Sequence, residues 1–323
     1  MKKAQNIFIA GFGDIGKRLA QRLSIDRHYQ VKALVRKTSS LSRDKNLAKK
    51  IGVQLVRGDL SSLRSLQKFP GPADTILHFA PPPGTGRSDT HTKHFLAALD
   101  AIRLRTRGSS EKTAGTRRPM LPRRIVYIST TGVYGNCEGA WLDETRPTKP
   151  ETARAKRRVD AEKRLQKWGR MHITAITILR APGIYANDRL PLDRLRRRMP
   201  VLLAAEDVFT NHIHADDLTT AAILAIRQPR PKKFRIFNVV DDSHMPMGDY
   251  FDQVADAFGL SRSPRISRLE AEGQVAPMLL SFMRESRRIG NSRVKRELKL
   301  VLKYPTLSSV LKILRPQTER GTD

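Results

Sequence analysis

The chain has 323 residues, 39% hydrophobic and 6% aromatic, enough for one large or two modest domains, and no apolar run approaches the ~18 residues of a membrane span. One cysteine, Cys137, excludes an internal disulfide and no zinc-type Cys/His spacing occurs; Met1-Lys2-Lys3 runs straight into an apolar strand with no room for a signal peptide, so the expected location is the reducing cytoplasm. The 61 Lys and Arg against 31 Asp and Glu give a formal charge of +30, a balance that attracts phosphates, nucleic acid or anionic surfaces, yet no helix-turn-helix, zinc finger or RNP-like aromatic motif accompanies it; the charge reads as a solvated arginine-rich surface, with neither nucleic acid nor membrane expected as partner.

In chain order, the first element decides the class. Ile7-Phe8-Ile9-Ala10 is a short apolar run with β-branched residues, which predicts a buried parallel strand. Gly11-Phe12-Gly13-Asp14-Ile15-Gly16 follows at once, and Ile15, Leu19 and Leu23 recur every four residues as the core stripe of a helix. Strand, GxGxxG and helix in this order predict a dinucleotide site. Gly11 permits the tight turn, Gly13 lets backbone approach a pyrophosphate, Gly16 lets the helix lie close to the strand, and the helix-opening amides at Asp14 and Ile15 face an anion.

Val31–Val35 reads as the second strand, ending at Arg36-Lys37-Thr38-Ser39. A carboxylate at that tip holds the ribose 2′-hydroxyl of NAD; an arginine suits the 2′-phosphate of NADP, so NADP is expected over NAD. Val53–Val56 is a third strand running into Gly58-Asp59-Leu60, and 74–80 a fourth ending in Pro81-Pro82-Pro83-Gly84. This alternation predicts an α/β fold with a doubly wound parallel Rossmann sheet, whose ligands lie beyond the carboxyl ends of the strands. A helix is expected over His91–Arg103, then a basic, Gly/Pro/Ser/Thr-containing surface insertion at 103–124. Ile125–Ser129 is a fifth strand leading into Thr130-Thr131-Gly132-Val133-Tyr134-Gly135, followed by a long helix from about Thr152 to Trp168 and a sixth strand at 173–179. Strand Phe234–Val240 follows a helix at 215–227, and the remainder reads as helices at 247–259, 269–289, 292–303 and 306–314.

Several marks occur in order: Gly11/Gly13/Gly16, Gly58-Asp59-Leu60, His78-Phe79-Ala80, Ser129 to Gly135, Arg180-Ala181-Pro182-Gly183-Ile184-Tyr185 and Asn211 to Leu218. With them the chain resembles the extended short-chain dehydrogenase/reductases, the NAD(P)-dependent epimerase/dehydratase family, and most of all its atypical bacterial branch. The resemblance implies a Rossmann domain over 1–185, completed by about 211–242, and a smaller, mainly helical substrate cap from 186–210 and 243–323. It also implies that Asp59 and Leu60 frame the adenine, that Ala80 lines the ribose, that Pro81 is a cofactor-binding residue, and that Pro182 and Ile184 border the nicotinamide. By the same resemblance Thr130 bonds the substrate's reacting oxygen, with Thr131, Tyr134 and His214 around the substrate.

One departure bears on chemistry. The family's reaction uses a Tyr and, four residues on, a Lys that lowers the tyrosine's pKa; those positions are Arg154 and Arg158 here. Arginine stays protonated at neutral pH and cannot be the base, but an Arg pair on one helix face can hold an anionic substrate or a developing oxyanion. Tyr134, Tyr185, His78 and His214 stand as alternative acid/base groups. Two functions therefore remain open: an NADP-dependent oxidoreductase or epimerase-like enzyme acting on a small carbonyl, alcohol or sugar-nucleotide compound, or a non-catalytic NADP(H) sensor. The oligomeric state is open, and no metal site is expected.

Overall fold

The computed structural model describes residues 4–36, 41–66, 73–108, 121–229 and 232–314. Lys37, Thr38 and Ser39 of the second strand's tip, and 109–120 of the basic insertion, lie outside the described residues. Two compact units emerge: Met1–Val133 with Ala153–Arg180 and Thr219–Phe237, and Tyr134–Thr152 with Ala181–Leu218 and Asn238–Asp323.

The first unit is built on a seven-stranded sheet: β1 (Gln5–Ala10), β2 (Tyr29–Val35), β3 (Gln54–Arg57), β4 (Thr75–His78), β5 (Arg124–Thr130), β6 (Ala175–Ala181) and β7 (Phe234–Asn238), in the order β7-β6-β5-β4-β1-β2-β3. The pairings from β3 through β2, β1 and β4 to β5 are all parallel, with Ile7 opposite both Val31 and Thr75. Strand order reverses beside β1, so its carboxyl end is the crevice where such sheets take a ligand. Residues Ile7 to Ala10 are buried without alternation because helices cover both faces, as the continuous apolar run predicts.

Helices α1 (Asp14–Ser24), α2 (Leu41–Lys50), α3 (Thr90–Gly108) and α4 (Ala153–His172) pack around the sheet, with most of the helix Ala215–Arg227 also in this unit. Helix α1 buries the predicted stripe of Ile15, Leu19 and Leu23. Phe95 and Leu99 of α3 and Leu165 and Trp168 of α4 pack with Phe8, Ile76, Ile125 and Ile178 in one core cluster. The Trp168 indole N–H, which must find a partner when buried, donates to Asp100 Oδ1 at 2.9 Å. Gly169 is required by that packing, since a Cβ there would run into the Ile176 side chain and the Thr174 carbonyl.

In the second unit, short strand pairs replace a large sheet. Gly183–Tyr185 runs parallel to His212–His214, Val201–Leu202 to Arg265–Ile266 and Trp141–Leu142 to Arg288–Ile289, while Phe209–Thr210 is antiparallel to Met245–Pro246. Its core gathers Tyr185, Leu202, Val254, Met283 and Val310. The sequence places 134–152 with the nucleotide domain; in the structure it belongs to this unit. Asn136 accepts from Ser286 N at 2.9 Å, and Cys137 N and Gly139 N both donate to the Ser286 carbonyl at 3.0 Å.

Two predicted helices differ from what forms. The single helix expected at 269–289 is instead Arg268–Gln274 and Pro277–Met283, because Pro277 opens the second as its first residue, and Arg288–Ile289 is a strand. The helix expected over 292–303 ends at Leu298, where Lys299 turns left-handed with φ 58°.

Candidate functional site

The turn after β1 is set by contacts that only glycine tolerates. Gly11 has φ 118°, and a Cβ there would collide with the Ala80 backbone nitrogen and the Phe79 carbonyl carbon. That close approach is fixed by Phe79 N and Ala80 N, which both donate to the Ala10 carbonyl, at 2.8 and 2.7 Å. A Cβ on Gly16 would strike the Gly11 carbonyl oxygen, so α1 can lie against the turn only with glycine at that place. Gly13 differs: nothing lies within 4 Å of its virtual Cβ, and it brings no side chain to cap the first turn of α1. Open space there, at a helix start with no side-chain cap, leaves room for an anion.

Around this turn is a cavity of about 450 Å³ at the carboxyl ends of β1 to β4. Of the expected cofactor residues, it brings together Gly11, Gly13, Arg36, Asp59, Leu60, Ala80 and Pro81. Three others have separate tasks in the first turn of α1: Asp14 accepts from Arg18 Nε at 3.0 Å, Ile15 is buried, and Gly16 closes on Gly11. The cavity also uses Asp44 and His91, which sequence reasoning missed, and Phe12, Gly58 and Pro82, which lie within the motifs it marked. Asp44 comes from α2 and forms an ion pair with Lys17 Nζ at 2.7 Å. The Asp59 carboxylate accepts from Ser61 N at 2.9 Å, a bond that holds its pKa below the ordinary value. The Ser65 hydroxyl secures the Asp59 backbone, accepting from its N–H and donating to its carbonyl.

Thr130 ends β5 with its hydroxyl accepting from Gly132 N at 3.2 Å, and Thr131 beside it is buried. On α4, Arg154 and Arg158 are both half-buried. Arg158 Nη1 donates to the Tyr127 hydroxyl at 3.0 Å and to the Ile128 carbonyl at 2.8 Å, which leaves Nε and Nη2 as its donors for anything else. Burial pushes the Tyr127 phenol up to about 12, with Arg158 opposing that rise. Glu162, one turn further on, takes Arg180 in a fork of 3.2 and 2.7 Å; both side chains are buried and Ser129 also donates to the carboxylate. His78 is buried at the end of β4 with Nε2 2.8 Å from Thr92 Oγ1, and burial pushes it down to about 4.

Pro182, Ile184, Tyr134 and His214 lie in the second unit. The Tyr134 hydroxyl donates to Asn238 Oδ1 at 2.7 Å, and Glu144 accepts from Asn238 N at 2.7 Å, its pKa raised by burial. Tyr185 donates to Asp241 Oδ2 at 3.1 Å, and burial raises the pKa of both groups, that of Asp241 to about 7. The His214 ring packs on Tyr304 at 3.8 Å. Asp217 accepts from Lys303 N and Tyr304 N, each at 2.9 Å. Among the described residues there is no group of three metal-ligating side chains and no helix long and apolar enough to cross a membrane.

The sequence profile of the NAD dependent epimerase/dehydratase family matches residues 7–239, a span that includes the glycine turn, the cavity and α4. The chain belongs to that family. No curated protein sequence matches the chain. Among solved structures, it is similar to a functionally unknown conserved protein from Silicibacter pomeroyi, at 26% identity and TM-score 0.74 over 96% of this chain and 98% of that one. It is also similar to the UDP-glucuronic acid 4-epimerase of Bacillus cereus, solved with UDP-glucuronic acid and NAD, at 16% identity and TM-score 0.70 over 95% and 97%. A UDP-galactose 4-epimerase gives 17% identity and TM-score 0.69 over 96% and 98%. At these last identities the likeness concerns the epimerase/dehydratase fold, which agrees with the sheet order and the glycine turn of the present family member.

Proposed function

We propose that the protein binds NADP(H) in the β1–β4 cavity and is an oxidoreductase or epimerase-like enzyme acting on a small, anionic carbonyl, alcohol or sugar-nucleotide compound. The observation that carries the cofactor reading is the combination at Gly13: open space for a Cβ, an uncapped helix start, and a place in the cavity wall. Preference for the 2′-phosphate rests on Arg36 at the end of β2; Asp44, also in the cavity wall, has its charge offset by Lys17. When bound, the nicotinamide would supply hydride exchange; the fold supplies position and field. Thr130 would donate to or accept from the reacting oxygen, and Arg154, with the remaining donors of Arg158, would hold a negative charge beside it.

A second reading is a non-catalytic NADP(H) sensor. It is favoured by one observation: the tyrosine position holds Arg154, which stays protonated and cannot serve as a base, while Arg158 at the lysine position is bonded to Tyr127 and Ile128. One experiment separates the two. Purified protein is loaded with NADPH, then with NADP⁺, and the nicotinamide absorbance is followed across a panel of anionic carbonyl and alcohol compounds. Turnover that is lost in Thr130→Val supports the enzyme; binding without turnover across the panel supports the sensor.

A further inference from the structure

Helix α4 carries arginines at the two positions where its family places Tyr and Lys, and the residues between and beyond them have a different target. Arg157, which the sequence presents as one more cation in a basic run, is 6% exposed. Its Nη1 donates to the Gly86 carbonyl at 2.5 Å. One turn on, Asp160 Oδ2 accepts three hydrogen bonds: from Ser88 Oγ at 2.8 Å, from Asp89 N at 2.7 Å and from Arg164 Nε at 2.8 Å. Arg164 Nη2 reaches Ser88 Oγ at 3.1 Å. Apart from the Arg164–Asp160 bond within α4, these bonds fall on residues 86–89, the far part of the loop whose first half, Pro81 to Gly84, walls the cofactor cavity. At its near end the loop is held by Ala80 N on the Ala10 carbonyl, and His91 Nδ1 lies 2.9 Å from the Pro81 carbonyl. At its far end Asp89 caps α3, accepting from Thr92 N at 3.0 Å.

We infer that Arg157 and Asp160 are positioning residues for the cofactor, clamping the Pro81–Ser88 loop from α4 so that its prolines stand as a preformed wall of the cavity. The inference rests on the cavity being the NADP(H) site. Its physical basis is preorganisation: a loop already ordered does not lose that freedom when ligand binds. A loop rich in proline at one end and containing Gly84 and Gly86 at the other is stiff only where it is tied, and the ties to α4 lie at the glycine end. Backbone carbonyl to guanidinium and carboxylate to backbone amide are charge-assisted bonds, stronger than the neutral bonds that fix most loops.

The test compares the full chain with Arg157→Ala, Arg157→Lys and the milder Ser88→Ala, using NADPH titration and amide hydrogen exchange of the 84–89 segment, whose Asp89 N–H is held by Asp160, without cofactor. Arg157→Ala should speed exchange in 84–89 while sparing β1 and β5, and should weaken NADPH binding about tenfold. Arg157→Lys, which can still reach the carbonyl, should recover most of both, and Ser88→Ala should shift both in the same direction by a smaller factor. Unchanged exchange in 84–89 overturns the clamp even if no variant binds cofactor. Faster exchange with unchanged NADPH affinity overturns the positioning role and leaves the cofactor reading intact. Wild-type protein that binds no NADPH defeats the cofactor reading, and the positioning role with it, while exchange still reports on the clamp. Should Arg157→Ala fail to fold, the Ser88→Ala and Arg157→Lys arms decide.

Discussion

Alanine at Gly13 and alanine at Gly16 should have opposite consequences, because the two glycines answer different demands. Gly13 has φ −82° and ψ −162°, extended backbone open to any residue, and its virtual Cβ meets nothing within 4 Å. Alanine there forgoes a few tenths to about 1 kcal/mol of N-cap preference and regains about 0.4–1 kcal/mol through a less flexible unfolded chain, so stability should stay within about 1 kcal/mol of wild type. The same methyl stands in the cavity where a phosphate must approach the first-turn amides. Losing one charge-assisted bond of about 1.5–3 kcal/mol weakens NADPH by roughly 10- to 150-fold. Gly16→Ala instead drives its methyl into the Gly11 carbonyl and must shift α1, at a cost of about 1–3 kcal/mol, the usual penalty of overpacking. Urea unfolding and NADPH titration on both variants read the two effects separately. Wild-type NADPH affinity in Gly13→Ala, or an equal loss of stability in both, would refute the assignment of roles.

Three further outcomes follow from the geometry. Glu162→Gln leaves Arg180 buried without its counter-charge and should lower stability by about 3–5 kcal/mol in urea unfolding; a loss under about 1 kcal/mol would mean the pair is solvated. Ile173, 84% exposed at φ 55° just after α4, is a β-branched residue in left-handed backbone; Ile173→Gly should raise stability by about 1 kcal/mol, and a lower urea midpoint would contradict this. Asp241 has its folded pKa raised to about 7 from an ordinary 3.8, so its contribution is complete below about 4 and is lost as pH rises through 7. Asp241→Asn should therefore gain on wild type between pH 4 and 8, by at most about 4 kcal/mol, and a difference that stays flat with pH would exclude that burial cost.

The strands and the glycine turn were legible because their signals are local. A continuous apolar run marks a strand covered on both faces, and GxGxxG places three constraints within six residues. The cavity-lining set was legible as far as those local marks reached, from Gly11 to Pro81. Asp44 was not, since its relevance depends on where α2 lies and on Lys17 meeting it, neither of which its own neighbours encode. Arg157 was hidden in the opposite way: in a run of cations every arginine looks solvated, and only the position of Gly86 shows which one is buried. Asp217 was hidden by distance, since its partners, Lys303 and Tyr304, are more than eighty residues away. The helix expected at 269–289 failed for a local reason, as Pro277 carries no N–H to continue one helix yet suits the first position of another.

The most direct test of the account is calorimetric titration of the full chain with NADPH, NADP⁺, NADH and NAD⁺ at one fixed ionic strength. The account predicts saturable single-site binding, tighter for the two phosphorylated nucleotides, with that preference removed in Arg36→Ala. Flat traces with all four nucleotides would contradict it.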